Sequence, residues 1–375
     1  MREEKSLSPS TEVIADLVAA VGGAPDDAAW REVFRSEFER LRTELPLHPA
    51  GSTASATFES AAATARAVAA DCLPLGIAIV MHLYPLCALR CVPLRWWSAA
   101  GLRRARLLHA VDSRSLILAN AGSERASGAH EPIKLTRTRD GVRVAGTYDY
   151  VSLAHVADVV MFSTPLADRG CAMFCAADLR GESVRIGGGR FVGSMRLSDT
   201  CSVTFDDYHV PSERCIEVPS ESALQCMAQY QRSWFHLLLG ESYLARVERL
   251  QHQWDLPRSI EQLASLNELA QLREYALRLL DEAASPRAVE SLSRVTAAMK
   301  LRISWLAQAT AAAMRTYDET AANELGYIRL QPTSDEKILG ALEHLSGQPV
   351  SAMDHGRCVP LLLPLRSGTR NTAAP

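Results

Sequence analysis

The chain of 375 residues is 47% hydrophobic and 22% charged, with 40 basic against 43 acidic residues and a formal net charge of -3. That near balance removes the electrostatic footprint of a nucleic-acid or anionic-membrane binder, and the ordinary apolar fraction argues against a largely disordered chain. Nine cysteines with no CxxC and no paired Cys/His spacing exclude a disulfide scaffold and a zinc module, which makes the reducing cytoplasm the expected compartment.

At about 150 residues per domain, the length predicts two or three domains. The first residues, Met1-Arg2-Glu3-Glu4-Lys5, lack the apolar stretch of a signal peptide. Helical periodicity marks residues 11–21, 30–44 and 58–70, with a Pro/Gly/Ser loop at 47–55. The apolar run at 73–94 is nearly long enough to span a bilayer, but it carries His82, Pro85 and Arg90. Those residues are costly in lipid, so a buried helix is expected and no membrane partner. The pairs Cys87/Cys91 and Cys171/Cys175, each four apart, are expected to be buried, inert thiols.

From 115 to 211 the period changes to two. Strands are predicted at 133–139, 142–151, 159–164, 171–179, 184–188 and 202–210, with Asp140-Gly141 as a hairpin turn. Turn residues between them fit a small antiparallel barrel or sandwich. Long helices then return at 223–250, 259–284 and 288–319, with Pro257 and Pro286 near two of the starts, and a shorter helix follows at 334–345. The plan is α+β and multidomain: an N-terminal helical domain (1–110), a middle β-domain (111–218), a C-terminal four-helix bundle (219–366) and a disordered tail (367–375).

Nucleophile-elbow, Walker and zinc-protease motifs are absent, and Gly187-Gly188-Gly189 lacks the spacing of a dinucleotide cradle. The β-domain holds the specific signal. Met195, Arg196, Ser198, Asp199 and Thr200, followed by Phe205, Asp207, Val210, Pro211 and Glu213, resemble the middle-domain block of the acyl-CoA dehydrogenase family. Upstream, Tyr150, Val151 and Ser152 match the family's W-I-T segment along the flavin. An aromatic ring there packs on the isoalloxazine edge and a hydroxyl hydrogen-bonds flavin N5. Taken alone, the same residues are an ordinary alternating strand.

The resemblance implies FAD, an acyl-CoA or acyl-carrier-protein substrate, a dimer or tetramer, and a carboxylate base for the α-proton. Ser123, Tyr150, Ser152 and Arg258 are the implied cofactor contacts, and Arg232, Thr200 and His236 the implied substrate contacts. The sequence departs from the family at several of its marks. Ala119 stands where a hydroxyl meets the flavin, Arg258 is all that remains of the inter-subunit arginine segment, and the glycine-rich dimer stretch is missing. Tyr230-Gln231-Arg232 occupies one place of the base, and Gln231 there can only orient. Glu319, Asp335 and Glu336 lie near the other and are expected to be solvated surface carboxylates.

His82 has two readings: a hydrogen-bonded core histidine, or a group at the substrate pocket, since flavin monooxygenases on this fold often place a histidine there. Three functions follow in order. The first is a flavin-dependent acyl-thioester dehydrogenase of a specialised biosynthetic pathway. The second is a monooxygenase fed with reduced flavin, and the third a flavin-free paralogue with a non-redox or binding role.

Overall fold

A computed structural model describes residues 11–24, 26–44, 53–93, 99–121, 133–166, 172–191, 193–218, 220–283 and 285–330. The expected helix at 334–345 and the tail at 367–375 lie outside the described residues.

The N-terminal helices are α1 (Thr11–Gly22), α2 (Asp27–Glu44), α3 (Ala54–Asp71), α4 (Leu73–Cys91) and α5 (Ala99–Ser113). Helix α2 forms because Trp30, Phe34, Phe38 and Leu41 recur on one face, and all four are buried. Thr53 caps α3 by accepting the Ala56 N–H. Helix α4 carries Pro74 in its first turn, where a missing N–H costs nothing. It approaches α3 so closely that a Cβ on Gly76 would fall 2.4 Å from the Ala69 Cβ. By length and composition α4 is apolar enough to cross a membrane, yet 89% of that stretch is buried inside the protein.

The middle of the chain forms two four-stranded sheets. One has the order β1 (Leu118–Asn120), β4 (Val159–Pro165), β5 (Ala172–Asp178), β8 (Cys215–Val218). The other has the order β2 (Lys134–Arg137), β3 (Gly141–Val151), β7 (Cys201–Pro211), β6 (Val184–Gly189). Asp140-Gly141 turns the β2–β3 hairpin, in register from Lys134↔Ala145 to Arg137↔Val142. The expectation of a purely antiparallel domain fails at one pair, because β1 runs parallel to β4. Residues 121–158, which include β2 and β3, join the two strands, and a parallel pair needs a long crossover of this kind. The first sheet is backed by α4 and α5 through Leu86, Leu89, Leu107, Val111, Met161 and Phe174.

The C-terminal helices are α6 (Glu221–Gln253), α7 (Ile260–Asp281), α8 (Pro286–Met314) and α9 (Glu319–Gly326). Ser220, Ser259, Ser285 and Asp318 cap their N-termini, Ser259 as a reciprocal capping box with Gln262. The helix expected over 288–319 ends earlier, at Met314, and a separate helix starts at Glu319. A turn over residues 315–317 separates the two, and Asp318 accepts the Ala321 N–H to start α9. Helix α6 packs against α3, α4 and α8, and Gly240 brings it close to α8: a Cβ there would meet Ile303 Cδ1 at 2.6 Å.

One carboxylate ties three of these helices. Glu241 on α6 is 5% exposed, and it accepts from Arg66 of α3 at 2.9 Å and from Arg273 of α7 at 2.5 Å. Arg66 also reaches Glu248, and Arg273 also reaches Glu59. Removing the central acid strands two guanidinium groups that are otherwise partly shielded. Both arginines touch water and keep an outer partner, so the cost falls below that of breaking a fully buried pair. Glu241→Ala should lower unfolding free energy by about 2–3 kcal/mol, seen as a lower urea midpoint with an unchanged slope.

Candidate functional site

Helices α4 and α6 meet strands β4 and β5 around a narrow apolar crevice whose walls include Pro85, Ala88, Leu89, Phe174, Leu224 and Met227. Its polar lining residues, Ser163, Tyr230 and Gln231, carry no charge. Gln231 Nε2 donates to Asn120 Oδ1 at 2.9 Å, and the Tyr84 hydroxyl hydrogen-bonds the same asparagine. Burial pushes the Tyr84 and Tyr230 phenols well above the usual range, so both stay protonated. Among the described residues no carboxylate lines this crevice.

A second group of polar side chains lies beside it. Ala121, next to Asn120, bridges Val151 in antiparallel sense, which brings the end of β1 against the end of β3 and so against Ser152. Ser152 Oγ is 2.8 Å from Thr200 Oγ1, Thr200 Oγ1 is 2.9 Å from Ser198 Oγ, and Ser198 Oγ donates to the Met195 carbonyl at 2.9 Å. All three hydroxyl residues are buried. Tyr150 points outward and is 49% exposed, with Phe191 6.5 Å away and the Arg190 guanidinium 6.0 Å from its ring centroid. Arg190 is itself held by Asp149 at 2.7 Å.

Asp199 anchors the loop between these groups. Its backbone is left-handed at φ 46, and its Oδ1 takes Arg31 of α2 at 3.0 Å and the His155 ring at 2.9 Å. Oδ2 accepts the His155 backbone N–H at 2.6 Å. Cys201 Sγ is 3.6 Å from the same imidazole. His155, Asp199 and Cys201 have the atoms of a metal site, all within 4.8 Å of one another. The Arg31 guanidinium on the shared carboxylate oxygen makes the group an ion-paired knot instead. Burial beside Asp199 pushes the Cys201 thiol up to about 12, so it is neither a ready ligand nor a nucleophile.

The structure thus brings together Ser152 and Thr200, both of them buried. Gln231 lines the crevice as expected of an orienting group. His82 is fully enclosed, packed edge-on against Phe38, and its Nδ1 accepts the Leu118 N–H at 3.0 Å. That placement matches the core reading of this residue. Arg258 turns to Gln251 Oε1 at 2.9 Å, at the α6–α7 corner. Arg232 and His236 follow Gln231 on α6, but neither lines the crevice. Glu319 is exposed at the start of α9. Ser123, Asp335 and Glu336 lie outside the described residues. Sequence reasoning missed Tyr84, Asn120, Arg31 and His155, whose only linear signal is a polar residue inside an apolar or charged run.

No family model matches the chain, and no curated protein matches its sequence. Solved structures match its fold. FMN-bound TdsC from Paenibacillus sp. A11-2, a dibenzothiophene monooxygenase, is 16% identical with a TM-score of 0.65 over 92% of this chain and 98% of that one. KijD3 in complex with dTDP is 16% identical with a TM-score of 0.65 over 91% and 98%. An FAD-dependent dehydrogenase is 16% identical with a TM-score of 0.59 over 88% and 97%. The chain therefore has the fold of the acyl-CoA dehydrogenase-like flavoenzymes.

His236 supplies a test of the α6–α8 packing beside the site. Burial, with Lys300 and Arg232 adding to it, pushes its imidazole down to about 3. The folded state keeps it neutral while the unfolded chain protonates it near its ordinary value. Its contribution is complete above pH 6.5 and is lost as pH falls from there toward 3, at up to about 1.4 kcal/mol per unit. Urea unfolding at pH 7, 6 and 5 should show a shallower decline for His236→Gln than for the parent chain.

Proposed function

We propose that the chain is a flavin-dependent oxidoreductase that takes its substrate in the α4–α6 crevice, and that its reaction is oxygen transfer rather than thioester desaturation. The neutral crevice carries this reading. Removing an α-proton from a thioester needs a positioned base with a raised pKa, whereas Gln231, Asn120 and the two phenols can only hold and orient. The likeness to a dibenzothiophene monooxygenase supports the same choice, and the likeness to an FAD-dependent dehydrogenase supports the wider flavin class.

The residues present fit a flavin. Tyr150 offers a half-exposed aromatic face braced by Phe191 and Arg190, and Ser152 offers a hydroxyl at the position the resemblance assigns to N5. A bound flavin would supply the redox equivalents and the capacity to react with oxygen. The chain's own residues do the rest. Tyr150 and Ser152 hold the ring, Asn120 and Gln231 present hydrogen-bonding atoms to a substrate's polar end, and the α4 and α6 side chains exclude water.

Three measurements test this. Purified protein should bind FMN or FAD in a fluorescence titration, and Ser152→Ala should weaken that binding several-fold. With reduced flavin, oxygen and indole, the aromatic compound found with FMN in one TdsC complex, an oxygenated product is expected. Under anaerobic conditions octanoyl-CoA should leave the oxidised flavin unbleached. Bleaching by the thioester would overturn oxygen transfer, and failure to bind either flavin would overturn the flavoenzyme reading.

A further inference from the structure

The hydroxyl chain behind Ser152 has a direction, and the direction follows from counting protons. Three contacts link Ser152, Thr200, Ser198 and the Met195 carbonyl. Each hydroxyl owns one proton and can accept at its lone pairs, while a carbonyl only accepts. The contact with Met195 can use only the Ser198 proton. The Ser198–Thr200 contact must then use the proton of Thr200, and the Ser152–Thr200 contact that of Ser152. No other assignment makes all three contacts hydrogen bonds. The residues are 8%, 5% and 1% exposed in the order Ser152, Thr200, Ser198, so an unmade bond is not recovered from water.

We infer that Ser152, with its proton committed inward through Thr200 and Ser198 to the Met195 carbonyl, presents a lone pair to its ligand and makes the site selective for reduced flavin. This rests on the proposal that a flavin lies against Tyr150 and Ser152. In the oxidised ring N5 carries a lone pair and seeks a donor; in the reduced ring N5 carries a hydrogen and seeks an acceptor. A Ser152 lone pair satisfies the second and opposes the first. To serve oxidised flavin the chain must reverse, with Ser152 donating outward, Thr200 to Ser152 and Ser198 to Thr200, which leaves the Met195 contact unmade. That forfeits one buried neutral hydrogen bond, on the order of tenfold in affinity.

The backbone holds the chain in place at both ends. Ser198 lies in a short 3-10 turn, Gly193–Ser198, that carries the Met195 carbonyl. Leu153 N–H donates to the Ser198 carbonyl at 3.0 Å and Ala154 N–H to the Asp199 carbonyl at 3.1 Å, so the Ser152 loop and the Ser198 turn move as one piece. Ser198 is therefore a positioning residue: it touches no ligand and sets which end of the Ser152 hydroxyl faces outward.

The test is anaerobic titration of the full chain with oxidised and with dithionite-reduced FMN and FAD, together with the midpoint potential of the bound flavin. The parent chain should bind the reduced form about tenfold more tightly, raising the two-electron potential by about 30 mV. In Ser198→Ala the Thr200 proton is free to turn toward Ser152, whose own proton then faces the ligand. The preference should fall to parity or invert, with the potential moving down. Ser198→Thr, which keeps the hydroxyl, should restore the parent ratio and separates this effect from a general loosening of the turn. A parent chain that prefers oxidised flavin, or a Ser198→Ala variant that keeps the parent ratio, would overturn the inference while leaving the flavin reading intact. Failure of both redox forms to bind would remove that reading and the inference with it.

Discussion

The carboxylate of Asp199 is the constraint on which the site depends. It sits between two hydroxyl residues, Ser198 and Thr200, and bends the chain there into a left-handed conformation that a non-glycine residue adopts only at some cost. Three donors offset that cost: the Arg31 guanidinium, the His155 ring and the His155 backbone N–H. The first comes from α2, 168 residues away in sequence. One helical turn on, Arg35 pairs with Asp158, whose other oxygen caps the Ile117 N–H at the entry to β1. Two arginines on one face of α2 thus fix both loops that frame the hydroxyl chain, and the N-terminal helices help to build a site that lies in the sheets.

The two parts of that site are joined by backbone rather than by side chains. The Ala121–Val151 bridge sets the end of β1 beside the end of β3, so the amide that faces the crevice and the hydroxyl at Ser152 share a support. The bridge exists because β1 enters parallel to β4 and stops after three residues. The short strand that departs from the antiparallel pattern is what brings the crevice and the hydroxyl chain together.

This explains which features were legible in the sequence. Long amphipathic helices, the Asp140-Gly141 hairpin and the alternating strands were readable because their signal is local and repeats. Strands β1 and β8 have three and four residues, too few to show a period, and β1 is buried throughout. The break between α8 and α9 is a three-residue turn followed by one capping aspartate, in a run that otherwise keeps its helical composition. Tyr150, Ser152 and Thr200 were singled out through a motif. Arg31, Asn120 and His155 were not, since each acts through a partner 36 or more residues distant or through a loop fold that no spacing encodes.

Neutrality of the crevice follows from its surroundings. Gln231 meets Asn120 beside a largely apolar wall, with no charged side chain among the described residues that line the crevice. A carboxylate at that position would be desolvated without a counter-charge, and its pKa would rise until it held its proton and lost its use as a base. A glutamine avoids that penalty and is satisfied by one neutral hydrogen bond to Asn120. The same logic applies to the ligand: a charged group entering this space finds no partner, whereas an apolar ring with one hydrogen-bonding atom meets both the walls and the amide. Among the described residues, the lack of a carboxylate at the crevice and its fit to an uncharged, largely apolar group are therefore one consequence of the same packing, and both support the proposed reaction, in which oxygen rather than a proton of the substrate is activated.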